Sequence, residues 1–207
     1  MAEAEKEIAA ENYENAAINL RKLLHKDPKN VDAMLMLVDV IRDQAEAEGR
    51  SRSYLANPNA VEVLARAAEL RPDDLELQKR ILRVYLSIPG KIGEAVPIAT
   101  EVAKSEPDNA DAHFALTWQA VEKKDTAQVE KLFQQFESNE IVTRRIFQTL
   151  ALQYQYYADT DNMEAADAVL KDAAWKAENL KDEELEILLL PDRMAMLQLL
   201  LVRQDRA

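Results

Sequence analysis

Three prolines constrain this chain most. Pro28, Pro72 and Pro107 each end an amphipathic stretch and sit in similar surroundings: HKDPKNVDA at 25–33, ELRPDDLEL at 69–77 and SEPDNADAH at 105–113. Proline cannot continue a helix, and the Asp or Asn that follows is suited to cap the next one. Pro72 and Pro107 are 35 residues apart, and Pro28 and Pro72 are 44 apart, which is one similar period plus about ten inserted residues. A period of roughly 34 residues marks an array of helical repeats.

Counting back from each proline tests the period. Twelve residues earlier stand Ala16, Ala60 and Ala95; eight earlier, Leu20, Leu64 and Ala99; five earlier, Leu23, Ala67 and Val102. A small residue recurs where two helices must approach closely, followed by apolar residues at helical spacing. The composition agrees with helices throughout: Ala, Leu, Glu and Lys are abundant, and there are only three glycines. Gly49, Gly90 and Gly93 cannot build a glycine-rich phosphate loop, and the absence of cysteine excludes disulfides, thiolate metal sites and thiol nucleophiles. Apolar residues make up 48% of the chain, too many for general disorder, and no run of 18 apolar residues forms a membrane span. A net charge of −12 opposes nucleic-acid binding.

With these residues in register, the chain resembles the tetratricopeptide repeat (TPR) family over about residues 8–178. The matching positions are Met34, Leu37 and Ile41 with Ala60, Leu64, Ala67 and Pro72, then Ile81 and Tyr85 with Ala95, Ala99, Val102 and Pro107. A third set is His113, Leu116 and Ala120 with Val129, Phe133 and Phe136, and a fourth is Phe147, Leu150 and Tyr154 with Ala166, Leu170 and Ala173. The family's helix-contact glycine is replaced by Val38, Leu82, Thr117 and Ala151, so looser helix packing is expected. The resemblance implies an all-α fold: a right-handed superhelical solenoid of antiparallel helix pairs whose first helices line a concave face.

Helices are predicted at about 3–11, 13–26, 31–47, 58–70, 74–87, 92–105, 109–123, 126–137, 141–157, 162–178, 182–190 and 192–204. Residues 1–178 form the array of about five units, the first truncated, with an insertion at about 48–58; residues 179–207 form apolar C-terminal helices. In that tail Leu188, Leu189, Leu190, Met194, Met196, Leu197, Leu199, Leu200, Leu201 and Val202 are too many for one buried helix face. Either a capping helix folds on the last repeat, or this face is meant for a missing repeat or a second protomer.

No residue pattern points to catalysis or to a metal or cofactor. His25 is read as a surface residue and His113 as core, no serine has a His and acid pattern around it, and Asp73-Asp74 and Glu183-Glu184 sit where helix starts favour acids. A protein-interaction scaffold that binds a protein or peptide is therefore the expected function. The expected groove positions are Asp32, Met36 and Asp39, then Lys79 and Arg83 with Arg80 at the edge, then Phe114, Trp118 and Glu122, then Arg145, Gln148 and Gln155. Lys79 and Arg83 beside an exposed Trp118 would suit a peptide with carboxylates. The TPR subclass that clamps acidic chaperone tails is disfavoured, because its positions carry Leu35, Asp39, Arg80, Asp111 and Ala115. The insertion, EGRSRSYLANP, adds a second candidate surface with Arg50, Arg52 and Tyr54. The charged first twenty residues read as cytoplasmic; a chain whose signal peptide had been removed would read the same way and be periplasmic. Alternative settings are a bacterial envelope or polysaccharide-export assembly, or a docking domain of a larger enzyme.

Overall fold

The computed structural model describes residues 1–49, 57–138, 145–181, 188 and 190–206. Among them lie eleven helices and no strand: α1 (Ala2–Ala9), α2 (Tyr13–Lys26), α3 (Val31–Ala47), α4 (Pro58–Leu70), α5 (Leu75–Ser87), α6 (Ile92–Ser105), α7 (Ala110–Glu122), α8 (Thr126–Ser138), α9 (Ile146–Asp159), α10 (Met163–Glu178) and α11 (Leu190–Arg206). The expected bounds of α2, α3, α4 and α6 are met, and most others differ by a residue or two. Gly93 lies inside the first turn of α6. The helix expected at 182–190 falls almost wholly outside the described residues. α11 starts at Leu190 rather than 192 because Pro191 fits a first helical turn, where its missing N–H has no partner to lose.

The three prolines close one and the same turn. Asp27, Arg71 and Glu106 each donate a backbone N–H to the carbonyl four residues back, on Leu23, Ala67 and Val102, at 2.8, 3.1 and 2.8 Å. Three residues on, Asn30, Asp74 and Asn109 donate back to those residues' carbonyls. The same three side chains accept from Ala33, Leu77 and Ala112 N–H at 3.0, 3.1 and 3.1 Å, capping α3, α5 and α7. The sequence repeat is thus a repeat of hydrogen bonds, with each cap contributing about 1 kcal/mol.

Five other connections share a different device, one residue with positive φ. At Glu11, Lys124 and Asp161 φ is 55°, 55° and 57°, and at Gly49 and Gly90 it is 69° and 81°. After the three non-glycine corners, Asn12, Asp125 and Asn162 donate to the carbonyls of Glu7, Ala120 and Tyr157 at 2.9, 3.0 and 2.9 Å, five residues back. This is the closure that a left-handed residue permits at a helix end. Two of the glycines therefore stand where the backbone favours them, and three equivalent corners do without.

The chain divides into two compact units, residues 1–91 and 92–207. In the first, each helix packs on the next in sequence, and Ala16, Ala17, Leu20, Ala33, Leu37, Val40, Ile41 and Ala60 join Ala4 of α1 in one buried cluster. In the second, Phe136, Phe147, Leu150, Val169, Leu170 and Ala173 enclose Leu188, Ala195 and Leu199. α11 therefore folds against α9 and α10 and buries one face. Its opposite face leaves Met194, Leu197 and Leu201 more than half exposed, at 58, 52 and 61%. The residues that replace the family's contact glycine are accommodated: Val38, Leu82 and Thr117 are buried and Ala151 is half-buried.

Candidate functional site

In the first unit the charged groove positions form ion pairs, while Met36, also expected at the groove, packs against the buried cluster. Asp39 on α3 accepts from Arg80 of α5 at 2.8 Å and from Arg42 one turn along at 3.0 Å, and Arg42 also pairs with Asp43 at 2.9 Å. Asp32 at the start of α3 pairs with Arg71 at 2.8 Å. Lys79 meets Glu76 at 2.6 Å and its side chain is mostly covered, while Arg83 is exposed. The stretch expected to be basic is thus a surface of alternating signs, in which the acids of α3 hold the bases of the next helices.

The second unit departs further from expectation. Glu122 and Gln155 are exposed and Trp118 is half-buried, but Phe114 and Arg145 are buried. Arg145, expected at the groove, is 1% exposed: its Nε donates to the buried Asp111, its Nη1 donates to Gln148 Oε1 at 2.8 Å, and its guanidinium lies 5.4 Å from the Phe114 ring centre. A guanidinium out of water needs an acid and finds one on α7. Arg145 and Gln148 therefore brace α9 against α7 from within.

Asp192, which the sequence reading passed over, completes this cluster. It is fully buried in α11, and its Oδ1 accepts from the Gln148 N–H at 2.8 Å, at the start of α9. Arg145, at the N-cap position, makes no side-chain cap of its own, so a carboxylate from the C-terminal helix caps α9 instead. Burial pushes Asp192 up to about 6, against the pull of the Gln148 and Phe147 N–H groups and the Arg145 charge. His113 is a core residue as expected: its Nε2 donates to the Leu132 carbonyl at 3.0 Å, its ring stacks with Phe136, and burial lowers its pKa. His25 is exposed, and Asp74 caps α5 as its position suggested.

A trough of about 390 Å³ opens in the first unit among α2, α3 and α4. Its floor is Met34, Leu37 and Ile41 of α3 with Leu24 of α2 and Val63 of α4; its rim carries Arg21, Glu62 and Arg66. The sequence signal for it was indirect, since Met34, Leu37 and Ile41 were read only as packing positions. The insertion residues Arg50, Arg52 and Tyr54, and the acidic pair Glu183-Glu184, lie outside the described residues. No group of three potential metal ligands occurs among the described residues, and none of the described helices is long and apolar enough to cross a membrane. No protein-family model matches the chain, and no curated protein matches it in sequence.

Proposed function

We propose that the chain is a TPR-type scaffold, a solenoid of antiparallel helix pairs that binds a protein or peptide along its first-helix face. The observation that carries this is the turn at Pro28, Pro72 and Pro107, with the same donors and acceptors each time. A helix connection that recurs three times at near-regular intervals supports an array, and arrays work through extended surfaces rather than a single catalytic pocket. In the first unit its residues are Asp39 with its paired arginines and Arg83; in the second unit, taken by itself, they are Trp118 and Glu122. Alternating signs favour a partner with matching charges over a uniformly acidic tail.

The test is affinity capture from native lysate on the immobilised chain, repeated with Arg83→Glu, Glu122→Lys and Trp118→Ala. One partner retained in stoichiometric amount by the parent, and lost with these variants, is the expected result. Capture that none of them changes would refute the assignment of this face.

A further inference from the structure

The trough among α2, α3 and α4 uses none of the residues of the proposed first-helix face. Its lining divides cleanly: an apolar floor, and a rim where Arg21 projects from α2 and Arg66 from α4. Among the described residues neither arginine has an ion-pair or hydrogen-bond partner, whereas Arg42, Arg71 and Arg80 of the same unit are each held by an acid. Both are exposed, on a chain whose net charge is −12. In such a field an unmatched pair of guanidinium groups beside apolar surface is complementary to one kind of ligand, which brings carboxylates to the rim and apolar groups to the floor.

We propose that this trough is a docking site for an amphipathic acidic peptide of a partner protein. Apolar side chains of the peptide would sit against the half-buried Leu24 and Val63, over the buried Met34, Leu37 and Ile41, with Asp or Glu residues paired to Arg21 and Arg66. The volume lies near the bottom of the roughly 300–1,000 Å³ range of small-molecule pockets, and suits side-chain anchors better than an enclosed cofactor. Helices that lay apolar residues at i and i+3 or i+4 into a groove use this geometry. Guanidinium forks add paired charge-assisted bonds to carboxylates. Glu62 on the same rim, one helical turn before Arg66 and without an ion-pair partner among the described residues, sets the pattern: the peptide is neutral or basic opposite it.

The experiment uses the full chain as bait for a phage-displayed library of random twelve-residue peptides. The strongest binder is then synthesised with fluorescein and followed by anisotropy. Enriched sequences should combine two or more of Leu, Ile, Phe and Met with at least two acids. The Arg21→Gln, Arg66→Gln double variant should weaken binding about tenfold or more, from the loss of two charge-assisted contacts. Glu62→Gln should tighten it, and Lys79→Ala with Arg83→Ala should leave it unchanged. The two arginines are exposed, and circular dichroism of each variant checks that the helices are retained.

Failure to enrich any peptide, selection of sequences without acids, or equal affinity in the double arginine variant would overturn the proposal. So would sodium dodecanoate binding that needs Arg21 and Arg66 while no peptide binds, because the site would then serve a small carboxylate. Peptide binding lost on Lys79→Ala with Arg83→Ala, but kept without Arg21 and Arg66, would overturn it while supporting the first-helix face.

Discussion

Replacing Arg145 by methionine keeps most of its length and apolar stem but removes one partner, the guanidinium, from the buried Asp111, which is 6% exposed. Breaking a buried pair from one side strands the other charge and costs about 3–5 kcal/mol. The guanidinium also lies over Phe114, and a desolvated contact of this kind adds about 1–2 kcal/mol. The expected loss is therefore about 4–7 kcal/mol, a large share of the stability of a unit this size. Urea unfolding followed by tryptophan fluorescence reads this directly, because Trp118 and Trp175 are the chain's only tryptophans and both lie in the second unit. The companion Asp111→Leu, Arg145→Met removes both charges and should unfold within about 2 kcal/mol of the parent, as replaced buried pairs do. The mutant cycle should then give a coupling of about 3 kcal/mol or more. An Arg145→Met loss below about 1 kcal/mol, or additive single and double variants, would refute the claim that Arg145 is an internal brace.

Three further outcomes follow from the same unit. Burial pushes Asp192 up to about 6 in the folded chain, against an ordinary value of 3.8, so the folded state binds this proton more tightly. The stability it confers is complete below pH ~4 and is lost as pH rises through ~6, by about 3 kcal/mol at most; the difference between parent and Asp192→Asn midpoints across that window measures it, and parallel profiles would contradict it. Lys124→Gly relieves a left-handed residue, worth roughly 1–2 kcal/mol, against roughly 0.4–1 kcal/mol of added chain entropy, so a net gain of about 0.5–1 kcal/mol is expected in the same urea assay; a lower midpoint would contradict it. Asn109→Ala removes the α7 cap and the bond to Glu106 at 2.9 Å, and should lower stability by about 1 kcal/mol.

The helices and their caps were legible because their causes are local. Proline, a cap residue and an apolar period lie within a few residues of one another, and Asn30, Asp74 and Asn109 act as their neighbours indicate. The groove positions were less legible because they extended one register through every unit. That works for Arg83 and Glu122, which are exposed, and fails for Arg145, because Asp111, 34 residues earlier, draws it inside. Periodicity cannot report such a pairing. The trough was hidden for the opposite reason: Met34, Leu37 and Ile41 carry a core pattern and are buried, and that pattern does not report the half-buried Leu24 and Val63 or the exposed arginines beside them. The strongly exposed Trp175 on α10 likewise carries no local mark that separates it from a packing residue.

The cap supplied to α9 by Asp192, 44 residues downstream of Gln148, also bears on synthesis. The caps of α3 and α5 in the first unit are encoded beside the helices they serve, so those turns can close as soon as they leave the ribosome. The second unit must wait. Until α11 has emerged, the first turn of α9 lacks its acceptor and the Phe147, Leu150 and Leu170 surface lacks its cover. At roughly 5–20 residues per second, that leaves an unfinished hydrophobic face exposed for seconds on every nascent chain.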